Sequence, residues 1–411
     1  MRIVQIHTCD LGGGAAKSAY RLHAGLKGLG HNSKFVVGKK YGADPDVIKL
    51  PGRGLAGARN AVAGKIEQFT GLQYFFQPSF NDLMALDAVK NADVVHFHNT
   101  HGGYLNLGVI KQAAEKKPVV WSLRDMWAFT GHCAYAGRGQ CQKWESGCER
   151  CPFLGEYPAV SVDTASLLWK IKRNDAEACA GLVRCVSPSN WLCNLAKKSL
   201  LSPLLHSVIP NCVDTEIFFP RENRETIRQR LGVSRKAFML SFMAAQLDNE
   251  FKGLPLLVEA LSILKAEGFQ ITLLLIGNGK SGFDGPGLHC VSTGFVSDEA
   301  YIAELLSASD AFVAPSLADN QPLAILEALA CGKPVIAFGV GGIPEMIGHK
   351  KDGFIARPMD AGHLADGIRW AMMLSESART SVSVAALSKI QAKFSVGKTA
   401  RAYLSLYNEL I

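Results

Sequence analysis

Short apolar and β-branched runs alternate with longer stretches of helical spacing along most of the chain. In the first half the runs lie at Ile3–His7, Lys34–Val37, Val94–His98, Val119–Leu123 and Val183–Val186. Between them, Ala15–Leu29 and Leu105–Glu115 repeat apolar residues at the spacing of an amphipathic helix. Strands that alternate with helices over short connections predict parallel sheets covered by helices on both faces.

The same alternation restarts in the second half. Apolar runs lie at Ala237–Ala244, Ile271–Ile276, Ala311–Val313 and Pro334–Ala337, and helical spacing lies at Leu254–Ala266, Asp298–Ser307 and Leu323–Ala330. The chain ends in two further helical stretches, Ala361–Ser375 and Val396–Glu409. Two such series predict an α/β protein with two Rossmann-like, doubly wound domains.

A turn-rich segment separates the two series. Ser207–Asp214 contains I-P-N-C-V-D, in which proline, asparagine and aspartate favour a turn. The sequence therefore predicts a first domain over residues 1–208, a second over 209–390, and a terminal helix over 391–411 that packs back toward the first domain. No element is assigned to Gly52–Pro78, which is rich in glycine, alanine and aromatic residues.

The composition of the 411 residues, 48% hydrophobic and 19% charged, is that of a globular protein and excludes a disordered or collagen-like chain. No apolar run approaches the ~18 residues of a membrane-spanning helix. The opening M-R-I-V-Q-I-H indicates a strand and not a secretory signal. Eleven cysteines without such a signal indicate a reducing, cytoplasmic location.

The positive charge is concentrated in the first half of the chain. Residues 1–210 carry 25 Lys and Arg against 15 Asp and Glu, whereas the remainder carries 19 against 21. This asymmetry predicts an anionic partner: a phosphorylated substrate, a membrane surface or a nucleic acid. A merely solvated basic surface is the alternative. No block of Lys and Arg is interleaved with aromatic residues, so we expect no nucleic acid.

Two common phosphate-binding signatures are absent. Gly277–Ser281 resembles the end of a P-loop, but Leu274 replaces the leading glycine, and Lys17 replaces the third glycine of a dinucleotide-binding turn. What remains is Gly12–Gly14 at the opening of the first helix. Glycines let a ligand approach the backbone, and a helix N-terminus offers N–H groups to an anion. A plain strand-to-helix turn is the alternative.

The stretch Pro315–Pro334 carries the strongest functional signal. A strand ends at Pro315, a loop presents Asp319, and a helix begins at Leu323 and carries Glu327. Open α/β sheets bind ligands at the carboxyl ends of their strands. Glu327 suits a bidentate bond to two ribose hydroxyls, Asp319 suits sugar hydroxyls, and the helix N-terminus suits phosphate. Alternatively, Glu327 is only a favourable charge near a helix start.

Together these residues resemble the family 4 glycosyltransferases of the GT-B fold. Asp319-x7-Glu327 matches the Glu-x7-Glu signature of that family. Further segments recur in family order: the strand before Gly12–Gly14, I-P-N-C-V-D, Lys252–Gly253, I-G-N-G at Ile276–Gly279 and G-G-I-P-E-M-I at Gly341–Ile347. R-D-M-W-A-F-T-G-H-C at Arg124–Cys133, the cysteines that follow and D-N-Q-P are similar to exopolysaccharide enzymes of the colanic-acid type.

The resemblance implies a retaining transfer of a sugar from a UDP- or GDP-linked donor, in two Rossmann-like domains that face a central cleft. The acceptor it implies is a lipid-linked saccharide of bacterial surface or exopolysaccharide synthesis. We therefore expect a cytoplasmic protein, peripheral to an anionic membrane surface. No cofactor is expected for catalysis, because a lysine and a helix terminus can stabilise the leaving diphosphate. A nucleotide-sugar epimerase of the same architecture and a non-catalytic nucleotide-sugar-binding protein are the alternatives.

The positions that match the family's motifs define the implied site. The catalytic residues would be Lys252, Asp319, Glu327, Arg124 and Asp125. The donor would be bound by Gly13, Gly14, Gln246, Lys252, Gly277, Gly294, Phe295, Asn320, Gln321, Pro322, Leu323 and Glu327. In this assignment Lys252 binds the diphosphate, and the turns at Gly277 and Gly294 contact the nucleobase.

Three positions depart from the family's pattern. Asp319 is one methylene shorter than the usual glutamate, and Gln246 stands where an arginine is usual, which leaves less positive charge at the diphosphate. Arg124 replaces a histidine that commonly contacts the donor sugar near the reaction centre. His98 and His132 are the residues that would substitute for it in space.

Four cysteines lie in or beside the loop 132–152. Cys133, Cys141, Cys148 and Cys151 have the spacing C-x7-C-x6-C-x2-C. Four thiols with one C-x-x-C pair suit a structural tetrahedral zinc site, which we expect here. Free thiols and disulfides are the alternatives. The remaining cysteines are scattered and indicate small core residues.

From the charge asymmetry we predict that the protein associates with anionic vesicles at low salt and is released as added salt screens its charges. Co-sedimentation with vesicles of anionic phospholipid measures this association, and vesicles of zwitterionic phospholipid are the control. Equal binding to both kinds of vesicle would show that electrostatic attraction does not cause the association.

Overall fold

Parallel strands form one sheet in each half of the chain. A computed structural model describes residues 1–50, 62, 64–67, 69–136, 139–279 and 289–411. Contacts divide them into a first unit, Met1–Pro210 with Thr399–Ile411, and a second unit, Asn211–Lys398. Within the unassigned segment Gly52–Pro78, residues 52–61, 63 and 68 lie outside the described residues, as do residues 280 and 281 of the P-loop-like stretch.

The sheet of the first unit has seven described strands in the order β3-β2-β1-β4-β5-β6-β7. They are β1 (Arg2–Cys9), β2 (Asn32–Lys39), β3 (Val47–Lys49), β4 (Val94–Phe97), β5 (Val119–Ser122), β6 (Val183–Ser187) and β7 (Leu205–Val208). β4 and β5 are buried along their whole length, as expected of central strands covered on both faces. The prediction of a parallel α/β sheet is confirmed here.

Helices connect these strands. In the described residues they are α1 (Gly13–Gly28), α2 (Phe80–Leu83), α3 (Asp87–Lys90), α4 (Val109–Ala114), α5 (Ala165–Ala178) and α6 (Asn190–Lys198). α1 buries Leu22 and Leu26 in a cluster with residues of the sheet, on the face that its apolar spacing predicts. The hydroxyl of Ser189 caps α6 by accepting the N–H of Leu192.

The sheet of the second unit has six described strands in the order β10-β9-β8-β11-β12-β13. They are β8 (Phe238–Gln246), β9 (Ile271–Asn278), β10 (His289–Ser292), β11 (Ala311–Ala314), β12 (Val335–Phe338) and β13 (Gly353–Ala356). β11 and β12 are buried along their whole length. The second predicted Rossmann-like sheet is therefore also confirmed.

The described helices of the second unit are α7 (Arg224–Arg230), α8 (Leu254–Ala266), α9 (Glu299–Ala308), α10 (Leu323–Ala330), α11 (Ala361–Met372) and α12 (Glu376–Lys389). The bounds of α8 and α10 are those that the sequence predicts. α10 follows Pro322 and ends shortly before Gly332, which has a φ of 71°. This left-handed glycine stops the helix at little conformational cost.

The last helix, α13 (Val396–Asn408), completes the core of the first unit. Its residues Ala400, Tyr403, Leu406 and Tyr407 are buried in one cluster with residues of β1, β4 and α1. The Tyr407 hydroxyl and Nδ1 of His96 are 2.7 Å apart, and both side chains are fully buried. The aromatic end of the chain is therefore part of the first unit's interior.

The two units do not begin and end at the predicted residues. The first division follows Pro210 and not residue 208, and the terminal segment of the first unit begins at Thr399 and not at 391. Phe394 explains the second difference, because it lies beyond the predicted end of the second domain and is buried in a core cluster of the second unit. The carbonyl of Phe394 also accepts the N–H of Val213 at 2.8 Å.

Each sheet contains one point at which the strand order reverses. This switch lies between β1 and β4 in the first unit and between β8 and β11 in the second. The chain leaves the two neighbouring strands in opposite directions there, which opens a crevice at their carboxyl ends where α/β proteins bind ligands. No helix of the described ranges is long and apolar enough to span a bilayer.

We predict that Tyr407→Phe lowers the free energy of unfolding by about 1–3 kcal/mol, because it leaves the buried Nδ1 of His96 without its partner. The midpoint of thermal unfolding measures the loss. Tyr41→Phe is the control, since Tyr41 is 65% exposed, and its midpoint should match that of the wild type. An unchanged midpoint for Tyr407→Phe would contradict a stabilising role for this hydrogen bond.

Candidate active site

The loops after β8 and β11 meet at the switch point of the second sheet. The chain leaves β8, passes through a short 3-10 turn at Glu250–Lys252 and enters α8. After β11 it runs through Pro315 and Leu317 to Asp319 and then into α10. The N–H of Leu317 donates to the carbonyl of Phe251 at 2.8 Å. This bond fixes one loop against the other.

Two glycines allow the backbones to come this close. At Gly253 φ is +68°, and a Cβ would lie 1.9 Å from the carbonyl oxygen of Pro315. At Gly341 φ is +55°, and a Cβ would lie 1.9 Å from the carbonyl oxygen of Asp319. A side chain at either position would strain a left-handed backbone and force the loops apart. The loop after β11 is thus held from both sides.

Lys252 and Asp319 form an ion pair at this point, with 2.7 Å between Nζ and Oδ2. The second carboxylate oxygen of Asp319 accepts the N–H of Asn320 at 2.9 Å. The Lys252 side chain is 31% exposed and that of Asp319 is 13% exposed. An ammonium has three donors, so Lys252 can bind Asp319 and a ligand oxygen at the same time. The structure thus brings two of the predicted catalytic residues together.

The remaining predicted residues of α10 and its N-terminus are buried, except Pro322, which is half-buried. Glu327 is the fifth residue of the helix and is 2% exposed, and Asn320 is equally buried. Gln321 makes hydrogen bonds within the second unit. Its Oε1 accepts the backbone N–H of Asn211 at 2.6 Å, and its carbonyl accepts the side-chain amide of Asn211 at 3.0 Å. These bonds hold Asn211, the first residue of the second unit, against Gln321, just before the helix begins.

The turn after β9 lies beside the segment that carries Gly294 and Phe295. The N–H of Gly277 donates to the carbonyl of Gly294 at 2.9 Å, and the N–H of Phe295 donates to Oδ1 of Asn278 at 3.1 Å. The Phe295 ring is 57% exposed. Gln246 ends β8 and lies opposite Asn278 in the sheet. The structure therefore groups the four predicted donor residues of this region at one edge.

In the first unit, α1 begins directly after β1. Gly12 and Gly13 have φ angles of 101° and 77°, and no side chain caps the helix N-terminus. Gly14 follows in the first turn. The first N–H groups of a helix have no partner within the helix, so an uncapped start leaves them available to a ligand or to water.

Arg124 follows β5 in the first unit and is fixed by two side chains. Nη1 donates to the hydroxyl of Ser18 at 3.1 Å, and Nη2 donates to Nδ1 of His98 at 3.0 Å. Burial, with the charges of His96 and Arg124, lowers the pKa of His98 well below its ordinary value. Its Nε2–H donates to the Gln5 amide oxygen at 2.9 Å, which leaves Nδ1 as the acceptor. His98 therefore orients Arg124.

Asp125 is held by His101, a residue that the sequence analysis missed. Nε2 of His101 lies 2.9 Å from Oδ2, and Oδ1 accepts the N–H of Trp127 at 2.9 Å. His101 is 3% exposed, and its ring centroid is 5.3 Å from that of Trp127. The sequence did contain a pattern that could have indicated His101. Residues 96–101 read H-x-H-x2-H, and the third histidine lies in the loop after β4.

The four cysteines of the loop line one cavity of the first unit together with His132. Their thiols are free. Burial raises the pKa of Cys133 and Cys151, and it raises that of Cys148 to about 12. In the described part of the chain, no three His, Cys, Asp or Glu side chains are positioned to hold one metal ion. The four predicted zinc ligands thus line one cavity, but their side chains are not positioned to coordinate one ion.

Several other proteins resemble this chain in sequence or in fold. The family described as "Glycosyl transferases group 1" matches residues 238–373. The chain is 31% identical over 354 residues to the colanic acid biosynthesis glycosyl transferase WcaC of Escherichia coli K12, which covers 82% of this chain and 83% of that protein.

A second relative shares a shorter region. The chain is 29% identical over 172 residues to the Escherichia coli UDP-Gal:alpha-D-GlcNAc-diphosphoundecaprenol alpha-1,3-galactosyltransferase. The matched region covers 39% of this chain and 43% of that protein. Among solved structures, Anabaena Alr3699/HepE in complex with UDP and glucose matches over 100% of both chains, with a TM-score of 0.65 and 18% identity. At that identity the match shows a shared fold.

We predict that Lys252→Ala and Asp319→Ala each lower the thermal midpoint by less than about 3 °C, because a partly exposed ion pair contributes little stability. Asp310→Asn is the matched comparison: Asp310 pairs with Arg228, and the two side chains are 8% and 1% exposed. That variant should lose about 3–5 kcal/mol, since it leaves a buried charge without its partner. A large loss for Lys252→Ala would show that the Lys252–Asp319 pair is structural.

Proposed function

Because the chain belongs to the group 1 glycosyltransferases, we propose that it transfers a sugar from a nucleotide-diphosphate donor to a lipid-linked saccharide, with retention at the anomeric carbon. The chain is a glycosyltransferase of polysaccharide or lipid-linked saccharide synthesis, as its relatives are. The transfer would extend a bacterial surface polysaccharide or exopolysaccharide.

The Lys252–Asp319 pair at the switch point is the observation that carries this proposal. Negative charge develops on the leaving diphosphate as the glycosidic bond of the donor breaks, and a fixed cation beside it stabilises that charge. Asp319 holds Nζ of Lys252 at 2.7 Å, so the cation is positioned before the donor arrives. Lys252 would bind the diphosphate, and Asp319 would accept hydrogen bonds from hydroxyls of the donor sugar.

The proposed step needs no protein nucleophile. The bond between the anomeric carbon and the diphosphate oxygen breaks, and the acceptor hydroxyl attacks from the same face. Its proton passes to the leaving phosphate oxygen. Asp319 receives hydrogen bonds from Lys252 and from the N–H of Asn320. Two donors on one carboxylate reduce its nucleophilicity, which favours this course over a covalent sugar–enzyme intermediate.

We propose uridine as the nucleoside of the donor. The galactosyltransferase relative is named for a UDP-linked donor, and the structural neighbour HepE contains UDP. Glu327 would accept hydrogen bonds from the two ribose hydroxyls. A carboxylate that is only 2% exposed is already largely desolvated, so such bonds would be stronger than bonds made in water. Backbone groups of Gly277 and Gly294 would contact the base.

The acceptor would approach the first unit. Residues 1–210 have ten more basic than acidic side chains, which suits the diphosphate of a lipid-linked saccharide at an anionic membrane surface. The same galactosyltransferase is named for an undecaprenol-diphosphate acceptor. Arg124 adds a permanent positive charge after β5, at the carboxyl end of the first sheet.

We predict that Lys252→Ala lowers turnover about 100-fold or more, the scale of losing one preorganised charge contact to the transition state. The assay measures UDP released from a panel of UDP-sugars in the presence of undecaprenyl-diphosphate-linked saccharides. Lys351→Ala, at an exposed lysine of the same unit, is the control and should retain wild-type turnover. Wild-type turnover in Lys252→Ala would show that the site is assigned wrongly.

We predict that Glu327→Gln weakens UDP binding about tenfold, the loss of roughly 1.4 kcal/mol of contact with the ribose. Calorimetry of UDP binding measures this change, with GDP as the competing nucleotide. Glu259→Gln, on the exposed face of α8, is the control. A wild-type protein that binds UDP-sugars but transfers to no acceptor would instead support a non-catalytic binding protein.

A further inference from the structure

The cavity of the cysteine loop has no part in the proposed transfer. Cys133, Cys141, Cys148 and Cys151 all line it. His132 lines the same cavity. The fold thus brings all four cysteines to one cavity, although the chain separates successive cysteines by as many as seven residues.

One backbone N–H points at a sulfur of the cavity. The N–H of Gly131 donates to Sγ of Cys148 at 3.2 Å. A thiol is a weak acceptor, whereas a hydrogen bond of this kind favours the charged thiolate. This bond would therefore support Cys148 as a thiolate ligand.

His132 lies against the Cys151 sulfur at the cavity wall. Its Nδ1 lies 3.1 Å from the carbonyl oxygen of Pro158, so this nitrogen carries the ring proton. Nε2 is then an acceptor and lies 3.3 Å from Sγ of Cys151. An imidazole held in this way by a backbone carbonyl is typical of the surroundings of protein metal sites.

Lys172 brings a buried amine to the same region. Its Nζ donates to the carbonyls of Trp127 and Thr130 at 2.7 and 3.0 Å and lies 3.7 Å from the centroid of the Trp127 ring. Nζ also lies 3.4 Å from the carbonyl oxygen of Gly131, whose N–H donates to the Cys148 sulfur. A buried ammonium is costly without an anion nearby, and thiolates around the cavity would offset that cost.

We propose that Cys133, Cys141, Cys148 and Cys151 bind one zinc ion as thiolates, with Lys172 as the buried counter-charge. Four zinc–sulfur bonds form and four S–H protons are released, which gives a doubly negative cluster that Lys172 partly neutralises. Because the side chains are not yet positioned around an ion, binding would draw the sulfurs inward across the cavity. Soft thiolate ligands in a tetrahedral set select zinc over magnesium or calcium.

Elemental analysis of the full chain, purified without chelator and without a histidine tag, tests the proposal. We expect about one zinc per chain in the wild type and less than about a tenth of that in Cys148→Ala. Cys179→Ala is the matched control, because Cys179 is also buried and free but does not line the cavity. Metal-free wild-type protein with reduced thiols, or disulfides among the four cysteines, would overturn the proposal.

A second experiment, cobalt binding by the wild-type protein, tests the same site without a variant. It is needed if Cys148→Ala does not fold. Protein stripped of metal under reducing conditions is titrated with Co²⁺. We expect intense thiolate charge-transfer absorption and visible tetrahedral bands that saturate at about one ion per chain. Octahedral Co²⁺ absorption only, or binding that does not saturate, would contradict a four-thiolate site.

The role of Lys172 is tested in the same titration. Lys172→Met should weaken Co²⁺ binding about 10- to 100-fold, the range found for groups that support metal ligands. Lys170→Met lies on the same helix at an exposed position and should leave the affinity unchanged. Equal affinities in the two variants would reject the counter-charge. Circular dichroism reports independently that each variant is folded. UDP binding, which we assign to the second unit, should be unchanged in both variants, which keeps this test separate from the proposed transfer.

Discussion

The proposed site depends on the approach of three backbone segments at the end of β11. The carbonyls of Pro315 and Asp319 each face a glycine, at positions where a Cβ would lie 1.9 Å away. Only without those side chains can the turn after β8 and the G-G-I-P segment enclose the loop that carries Asp319. The 2.7 Å between Lys252 and Asp319 follows from that packing, since neither side chain is held by a second charged partner among the described residues.

The elements that the sequence predicts well are those with one clear signal in the chain. α8 and α10 combine apolar spacing with a glycine or proline at their ends, and central strands such as β11 are continuous apolar runs. The four edge strands β3, β7, β10 and β13 were not predicted. Each has a neighbour on one side only, and β3, β7 and β10 are partly exposed. Partial exposure permits polar residues, so the apolar run that marks a strand is lost.

The site could be predicted one residue at a time but not as an arrangement. Motif spacing indicates Lys252 and Asp319 separately, whereas their direct pairing depends on the loops after two different strands. His101 and Lys172 escaped the sequence analysis for the same reason: their partners, Asp125 and the Trp127 carbonyl, lie on other elements. Arg124 was singled out by the sequence, because it stands where the family has a histidine. Its contacts with His98 and Ser18 could be seen only in the structure.

The burial of α13 in the first unit sets the order in which the chain can finish folding during its synthesis. The second unit ends at Lys398, whereas Ala400, Tyr403 and Tyr407 complete the core that β1 begins. The ribosome therefore releases every residue of the second unit before the first can close. Until Tyr407 emerges, the hydrophobic cluster around Ile3 and Val94 lacks its aromatic cover, and exposed apolar surface of this kind favours aggregation during folding.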